Sequence, residues 1–466
     1  MPEKYDLIVI GSGPAGEKGA LTAALLGKRV ALIERDPYVG GASVNTGTIP
    51  SKTLRESALA LSGLRFRDLH GVDLSLRREA TIRDLMYHEH NVQRHARERI
   101  WESLQLSNIH VYRGSGAFTG PHTVRVDRDG TDPVTLEGDF ILIATGSSPV
   151  HPPGFAFEDD RIHDSDEILT LEKLPRSMAV VGAGVIGSEY ACTFAALGVQ
   201  VHVIDGRDAL LPFLDHELSE ALLDGMKQLG IVFHWKEQVT TCSLEEAGCV
   251  LVECASGFNM RFEGVLVAAG RKSNTESLNL AAAGVTPGPK GVIQVDEFFA
   301  TGVPHVLAAG DVIGFPALAA TSAEQARYAV AHAFRSPGAI AMAPLLPTGI
   351  YTIPELSALG ETEESLKSKG VDYVAGRADY IANARGEIIG ERMGFLKLLF
   401  RRADMRLLGV HIIGEQATEL IHIGMMAMLS EAGAEVFERA CFNVPTLSDL
   451  YKLATAQALQ RRETAV

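Results

Sequence analysis

The chain has 466 residues, of which 46% are hydrophobic and 22% are charged. This composition is typical of a globular enzyme and excludes a disordered chain or a disulfide-stapled miniprotein. With 43 Lys and Arg against 58 Asp and Glu, the net charge of −15 disfavours binding to the polyphosphate backbone of nucleic acids.

The cysteine count and the N-terminal segment bear on the compartment of the protein. Five cysteines, an odd number, predict free thiols in a reducing environment. An apolar strand already starts at residue 7, which leaves no room for a signal peptide, so we expect a cytoplasmic protein. No stretch reaches the roughly 18 apolar residues of a membrane helix, and we therefore expect no membrane partner.

Two segments carry the pattern of a βαβ dinucleotide-binding unit. In the first segment, a strand at residues 7–10 leads into Gly11-x-Gly13-x-x-Gly16, an alanine-rich helix and a second strand that ends at Glu34. The three glycines permit a tight turn, a close approach of a pyrophosphate to the backbone, and close packing of helix on strand. The N-terminus of the helix then faces the phosphates.

The second segment repeats this pattern. A strand at residues 179–181 leads into Gly182-x-Gly184-x-x-Gly187, a helix and a strand that ends at Asp205. In both segments the acidic residue stands 23 residues after the first glycine. A lone G-x-G-x-x-G is a weak signal, but the strand before it, the helix after it and the downstream acid together predict dinucleotide binding by both units.

A long helix is predicted between the two units. Residues 77–106 are polar and carry apolar side chains at helical spacing, as in a partly exposed helix. Arg94, Arg97 and Arg99 alternate with glutamates along this segment. We interpret them as a solvated helix face and not as a nucleic-acid patch.

Prolines and glycines mark the boundaries of three predicted domains. A proline-containing stretch marks the first boundary. The second boundary falls near residues 270–274 and the third at residues 344–347. Residues 395–400 and 407–413 predict antiparallel strands, and three helical stretches follow them. The predicted class is α/β, with Rossmann-like dinucleotide-binding domains at residues 1–149 plus 275–345 and at residues 150–274, and an α+β interface domain at residues 346–466.

Over nearly its whole length the chain resembles the two-dinucleotide-binding flavoprotein family that includes dihydrolipoamide dehydrogenase and glutathione reductase. The family's further motifs are matched by Gly146 and Gly310-Asp311, each after a predicted strand, and by Gly270-Arg271, which stands before Asn274-Thr275. The resemblance implies that the first unit binds FAD, with Glu34 on the adenosine ribose and Asp311 on the ribityl chain. It also implies NAD(P) in the second unit and a homodimer, or a larger homo-oligomer, through the C-terminal domain.

The residues that reduce disulfides in that family are replaced. Its redox-active pair lies in Gly-Gly-x-Cys-x-x-x-x-Cys, and the matching positions here are Ser43 and Thr48. The family's His-Pro-Thr motif falls at Val444, which leaves no imidazole for proton transfer. Hydroxyl groups do not cycle between dithiol and disulfide, so we predict that the protein lacks disulfide-reductase chemistry.

The five cysteines offer no substitute for the missing pair. Cys249 and Cys254 have the right spacing but flank a strand-like run, which places their Cα atoms roughly 16 Å apart. A disulfide requires the Cα atoms of its two cysteines to lie less than about 7 Å apart. Cys192 and Cys441 are predicted to be small buried side chains.

The remaining apparatus implies hydride transfer between NADPH and NAD⁺ through FAD in a ping-pong cycle. Lys52 and Glu189 match a family ion pair beside the flavin and the nicotinamide, and we predict both as catalytic. A helix is predicted to start near residues 317–321, and the resemblance implies that its N-terminus lies where it would favour negative charge on the flavin.

Selection between the two nicotinamide nucleotides is predicted just after the second unit's second strand. Asp205 is expected to accept a hydrogen bond from a ribose 2′-hydroxyl, and Arg207 to meet the 2′-phosphate of NADP(H). Both NAD(H) and NADP(H) are therefore expected as substrates.

Two other functions stay open on the sequence alone. One is a flavin oxidase or diaphorase that passes electrons from NAD(P)H to oxygen or a quinone. The other is a non-catalytic flavoprotein that senses nucleotides. No metal site is predicted.

Overall fold

Two sheets with parallel central strands and flanking helices dominate the first three quarters of the chain, and an antiparallel sheet with helices forms the rest. The computed structural model describes residues 2–63, 82–128, 130–245, 248–337, 342 and 345–464. The strands up to residue 235 are β1 (Glu3–Ile10), β2 (Val30–Glu34), β3 (His110–Arg113), β4 (Ser115–Gly120), β5 (Thr123–Asp127), β6 (Val134–Ile143), β7 (Ser147–Pro149), β8 (Ile162–Asp164), β9 (Ser177–Val181), β10 (Gln200–Asp205) and β11 (Val232–Trp235). The later strands are β12 (Val239–Leu244), β13 (Val250–Cys254), β14 (Asn259–Phe262), β15 (Gly264–Val267), β16 (Arg271–Ser273), β17 (Val306–Ala308), β18 (Thr348–Ile350), β19 (Leu356–Gly360), β20 (Tyr373–Asp379), β21 (Phe395–Arg401) and β22 (Leu407–Ile413). The α-helices are α1 (Pro14–Leu25), α2 (Gly41–Asn45), α3 (Thr48–Ser62), α4 (Ile82–Leu106), α5 (Val185–Ala196), α6 (His216–Gln228), α7 (Ala319–Ala333), α8 (Glu363–Ser368), α9 (Ala384–Ile388), α10 (Ala417–Leu429), α11 (Ala434–Arg439) and α12 (Leu450–Thr464).

The first glycine-rich unit lies at the centre of one sheet. Its strands run in the order β3-β2-β1-β6-β5-β4, and β17 also pairs with β6. Leu7 and Val9 point into a cluster with α1 and α7, whereas Ile8 and Ile10 point into a cluster with β4 and β5. Because β1 is covered on both faces, its core end is apolar throughout, as in other buried parallel strands.

The second unit forms an all-parallel sheet in the order β11-β10-β9-β15-β8. A smaller antiparallel sheet, β12-β13-β14, packs against it. The two sheets with a βαβ unit confirm the predicted α/β class with two Rossmann-like folds.

The two chain crossings between these sheets lie side by side. Strands β7 and β16 pair antiparallel, with Arg271 opposite Pro149 and Ser273 opposite Ser147. Both crossings are thus held in one short ribbon. The exact domain limits stay a prediction, and Pro344, at the third predicted boundary, lies outside the described residues.

The C-terminal part is built on the antiparallel sheet β18-β19-β22-β21-β20. Strands β21 and β22 pair antiparallel, and α10, α11 and α12 follow them, as predicted. This confirms the α+β character of the last domain.

The long helix between the two units is confirmed as α4, over residues 82–106, and residues 77–81 of the prediction lie outside the described residues. Arg97 donates from Nε to Asn45 Oδ1 at 2.6 Å, and its guanidinium lies 4.0 Å from the centre of the Tyr38 ring. Arg94 and Arg99 are exposed. No described helix is long and apolar enough to cross a membrane.

A buried lysine ties the second parallel-sheet domain to the C-terminal domain. Lys397 Nζ on β21 lies 2.8 Å from Oδ1 of Asp215, which caps the N-terminus of α6. It also lies 3.0 Å from Glu217 and 2.5 Å from Glu363. Burial lowers the pKa of Lys397, but its hydrogen bonds to these carboxylates outweigh burial and raise it. A charged lysine is thereby stable at a site where its side chain is only 3% exposed.

We expect Lys397→Met to reduce the free energy of unfolding by about 3–5 kcal/mol at neutral pH, because it leaves the buried carboxylate of Asp215 without the lysine that pairs with it. Burial raises the pKa of Asp215, while His411 and Lys397 lower it by more. The loss should therefore persist at neutral pH and shrink only as the pH falls through that lowered pKa, where wild type also loses the pair. Urea unfolding followed by circular dichroism measures it.

The matched control is Lys272→Met, which removes an exposed pair with Glu276 at 3.1 Å. This variant is expected to reduce the free energy of unfolding by less than about 1 kcal/mol. Equal losses in the two variants would contradict a stabilising role of the buried lysine.

Candidate active site

The first glycine turn joins β1 to α1. Gly11 has a φ of +101°, and a Cβ atom there would lie 2.4 Å from the carbonyl oxygen of Ala144. A Cβ atom on Gly16 would lie 1.8 Å from the carbonyl oxygen of Gly11. Gly13 precedes α1 and places no side chain on the helix N-terminus. The turn therefore presents bare backbone where a pyrophosphate would approach.

The second turn has the same geometry. Gly182 has a φ of +108°, and a Cβ atom there would lie 2.5 Å from the carbonyl oxygen of Ala268. A Cβ atom on Gly187 would lie 1.9 Å from the carbonyl oxygen of Gly182. At Gly184, just before α5, no atom lies within 4 Å of such a Cβ. The space in front of this helix is open.

The acid of the first unit is held by the turn itself. Glu34, at the end of β2, is 5% exposed. Its Oε2 accepts hydrogen bonds from the backbone nitrogen and the hydroxyl of Ser12, and its Oε1 accepts one from Asp36 N at 2.9 Å. The carboxylate is fixed at the rim of the turn, at the position expected for a ribose contact.

The acid of the second unit has a different partner. Asp205 Oδ1 accepts from the backbone N and the Nε of Arg207, at 2.8 and 2.9 Å. Its Oδ2 accepts from Arg207 Nη2 and from Ala183 N, both at 2.6 Å. Burial raises the pKa of Asp205, but these hydrogen bonds outweigh it and hold the pKa below its ordinary value. Arg207 is thus hydrogen-bonded to the carboxylate of Asp205. The contacts of both residues to nucleotides stay a prediction.

A hydrogen-bonded chain passes through the two domain crossings. Asp311 Oδ2 accepts from Ser147 Oγ at 2.9 Å, and Arg271 Nε donates to the same hydroxyl at 2.9 Å. Arg271 Nη1 donates to Asp166 Oδ1 at 3.0 Å. The orientation of Asp311 is thereby tied to a residue of the second domain.

The glycines that precede the two crossings have similar surroundings. Gly146 and Gly270 have φ values of +67° and +105°, and no atom lies within 4 Å of a Cβ built on either. After Asp311, α7 starts at Ala319 without a side-chain cap, which confirms the helix predicted near residues 317–321.

Lys52 and Glu189 meet between the two parallel-sheet domains. Lys52 on α3 donates from Nζ to Glu189 Oε2 on α5 at 2.5 Å. The other oxygen, Oε1, accepts from the backbone nitrogen of Tyr351 at 2.8 Å. The Tyr351 ring centre lies 5.1 Å from Lys52 Nζ. Three parts of the chain that are distant in sequence therefore form one charged centre.

A second ion pair holds the segment that carries Tyr351. Arg55, one helical turn after Lys52, donates from Nε to the carbonyl oxygen of Thr352 at 3.1 Å and from Nη2 to Glu355 Oε2 at 3.2 Å. Glu355 Oε1 accepts from the backbone and the hydroxyl of Thr418, both at 3.1 Å. This pair supports the Tyr351 N–H that orients Glu189.

The positions of the family's redox disulfide lie on α2 and at the start of α3, at Ser43 and Thr48. Val444 is 76% exposed. All five cysteines belong to the described residues, and all are free.

The environments of the thiols differ. Cys192 is buried, as predicted, and burial raises the pKa of its thiol to about 12. The prediction that Cys441 is buried is wrong, because it lies exposed in the segment after α11.

Comparison with known proteins agrees with this geometry. Residues 5–333 match the pyridine nucleotide-disulphide oxidoreductase family, and residues 346–455 match the dimerisation domain of that family. The chain belongs to this family. Its C-terminal domain is thus a dimerisation domain, which supports assembly into a homo-oligomer.

Relatives within this oxidoreductase family cover nearly the full chain. A protein of Mycobacterium tuberculosis (strain ATCC 25177 / H37Ra) named soluble pyridine nucleotide transhydrogenase is 45% identical over 98% of both chains. A Shigella flexneri protein with the same name is 38% identical over 98% of both.

Solved structures show the same fold. LpdA from M. tuberculosis has a TM-score of 0.90 at 26% identity, and covers 97% of this chain and 99% of its own. The HOCl-induced flavoprotein disulfide reductase RclA from Escherichia coli has a TM-score of 0.87 at 26% identity with the same coverage.

Sequence reasoning missed the residues that support the charged centre. Tyr351 contributes its backbone N–H, and a main-chain contact leaves no signal in residue type. Arg55 gave no signal either, because it shares its helix face with Ser51 and Lys52 and looks in sequence like any exposed arginine.

Proposed function

We propose that the protein is an FAD-dependent transhydrogenase that exchanges hydride between NADPH and NAD⁺ without a redox-active disulfide. The observation that carries the proposal is the 2.5 Å contact between Lys52 and Glu189, which joins the two dinucleotide units beside a site where Ser43 and Thr48 replace the cysteines. The transhydrogenase relatives at 38–45% identity support it.

The residues of the first domain fit FAD. A Cβ atom on Gly41 would lie 2.7 Å from Gly13 Cα, so two stretches of bare backbone close together around the N-terminus of α1. Glu34 has one oxygen, Oε1, with a single described donor, which leaves it able to accept from a ribose hydroxyl. Asp311, held by Ser147, would accept from the ribityl chain. FAD, when bound, supplies the ring that takes a hydride from one nicotinamide nucleotide and returns it to the next.

Lys52 and Glu189 would position the reacting groups. Lys52 brings a positive charge, 26% exposed, to the junction of the two domains, where it would favour negative charge on the flavin. Glu189, held by Lys52 and Tyr351 N–H, presents a fixed carboxylate to the nicotinamide amide. The second unit would bind NAD(H) and NADP(H) in turn, which requires a ping-pong order.

The proposal also covers the oligomeric state and the cellular compartment of the protein. We infer a homodimer through residues 346–455, where the dimerisation domain of the family matches. We place the protein in the cytoplasm, where five free cysteines stay reduced and both nucleotide pools are present.

The test is an anaerobic exchange assay. The purified protein, whose flavin is expected to be identified as FAD after denaturation, should transfer hydride from NADPH to thio-NAD⁺ without oxygen, at a rate well above its oxygen uptake from NADPH in air. Thio-NAD⁺ reduction followed by absorbance and an oxygen electrode measure the two rates.

Fast oxygen or quinone reduction without nucleotide exchange would favour the oxidase or diaphorase alternative. Binding of NADPH without any electron transfer would favour the nucleotide-sensing alternative. FMN in place of FAD would contradict the assignment of the first unit.

A further inference from the structure

A lysine lies beside Asp205 and Arg207 at the end of the neighbouring strand. Strand β11 pairs with β10 so that Trp235 stands opposite Asp205. The next residue, Lys236, donates from its backbone nitrogen to the carbonyl oxygen of Arg207 at 3.0 Å. Its φ is +61°, a conformation that lysine rarely adopts. The main chain therefore holds Lys236 against the loop expected to select the nucleotide.

The first unit lacks a residue at this position. There, Arg113 stands opposite Glu34, and the next residue, Gly114, donates directly to the carbonyl oxygen of Glu34 at 2.9 Å. In the second unit the matching bond to Asp205 comes from Glu237, at 3.2 Å. Lys236 is thus one extra residue, inserted where the two units are otherwise alike.

The charges around Asp205 explain what such a residue would add. An ionised carboxylate accepts roughly four hydrogen bonds. Asp205 already receives four, from Ala183 N and from three groups of Arg207. The charge of Arg207 cancels that of the carboxylate, so the pair is neutral as a whole. Among the described contacts, only Nη1 of Arg207 makes no hydrogen bond to Asp205. A 2′-phosphate therefore needs a further cation.

Lys236 is available to supply it. Its side chain is 73% exposed, and its described partner is Asp208 Oδ2 at 3.6 Å, an exposed contact beyond hydrogen-bond length. Exposed pairs of this kind are weak. A phosphate would displace it at little cost.

We propose that Lys236 is a specificity residue of the nicotinamide-nucleotide site, whose ammonium binds the 2′-phosphate of NADP(H) beside Nη1 of Arg207. It has no such partner in NAD(H). The inference rests on the proposed function in that it assumes NADP(H) binding to the second unit. Asp208 competes with the 2′-phosphate for Lys236 and therefore weakens the binding of NADP(H).

Binding of two fragments to the FAD-loaded protein tests this. By isothermal titration calorimetry, Lys236→Gln should weaken binding of adenosine 2′,5′-bisphosphate about tenfold, because one charge-assisted contact is lost, and should leave 5′-AMP binding unchanged. Asp208→Asn should act in the opposite direction and tighten the bisphosphate only. Lys4→Gln, at an exposed lysine of the other domain that pairs with Glu137, should change neither.

Several outcomes would overturn the assignment. They are an equal loss of both fragments in Lys236→Gln, an unchanged preference for the bisphosphate in that variant, and a weaker bisphosphate affinity in Asp208→Asn. The anaerobic exchange assay distinguishes a failure of the Lys236 assignment from a failure of the proposed function. Normal exchange without a Lys236 effect on the fragments rejects Lys236 alone, whereas a Lys236-dependent preference in a protein without exchange rejects the transhydrogenase function and keeps the phosphate site.

Discussion

One equivalent of NADPH, added to the FAD-loaded protein without oxygen, is expected to bleach the visible absorbance of the flavin and to leave all five thiols titratable, as before. In the family's disulfide reductases the first two electrons rest on the dithiol, and a thiolate beside the oxidised flavin gives a long-wavelength band. Here Ser43 and Thr48 occupy those positions. The proposed function therefore predicts that the electrons stay on the flavin ring.

Adding NAD⁺ should then restore the yellow colour, because the reaction is reversible through the same nucleotide site. Absorbance spectra and a thiol titration in denaturant, before and after NADPH, provide both readouts. Dihydrolipoamide and glutathione disulfide should show no turnover in steady-state assays of the same preparation.

Two results would contradict this prediction. New thiols after NADPH, with the flavin still oxidised, would mean that two of the cysteines form a redox pair. A long-wavelength band that appears while the flavin is oxidised and persists after the nicotinamide nucleotide is removed would place a thiolate at the flavin. Either result would move the redox centre away from the flavin alone.

Lys52→Met is expected to slow flavin reduction by NADPH about 100-fold, which corresponds to about 3 kcal/mol. The variant removes the charge-assisted partner of Glu189, whose side chain is 10% exposed, and among the described residues leaves the carboxylate held only by Tyr351 N–H. It also removes the positive charge at the junction of the two domains. Stopped-flow absorbance measures the rate, and the flavin content shows that FAD remains bound.

The controls separate charge from packing. Lys52→Arg keeps the charge and should lose much less activity, and Lys173→Met, at an exposed position, should lose none. The double variant Lys52→Met with Glu189→Gln should cost less than the sum of the two single variants, because the residues in contact are coupled. Full additivity would argue against the ion pair as a functional unit.

Much of the fold was predictable because its signals are local. The turns at Gly11 and Gly182 require a positive φ and tolerate no Cβ atom, and such demands restrict residue type directly. The acids Glu34 and Asp205 end strands at the same distance from those turns, and both lie where that spacing predicts. The antiparallel strands β21 and β22 were visible from their apolar runs.

Other features depended on contacts that residue type does not record. The apolar run of β21 contains Lys397, and nothing near it in sequence shows that the lysine is buried against Asp215 of another domain. The burial of Cys441 was predicted wrongly for the same reason, since a cysteine carries no information on whether a neighbouring element covers it.

The two dinucleotide units, the order of the domains and the absence of cysteines at the family's redox positions can all be read from the amino-acid sequence. These follow from backbone geometry and from side-chain chemistry at single positions. The fold is needed to see that Glu189 is shared between Lys52, 137 positions before it, and the Tyr351 N–H, 162 positions after it. The same holds for the pairing of Arg207 with Asp205 and for the position of Lys236 beside them. Such contacts arise when separate elements pack, and a charged group then takes whichever partner the packing places within hydrogen-bond distance.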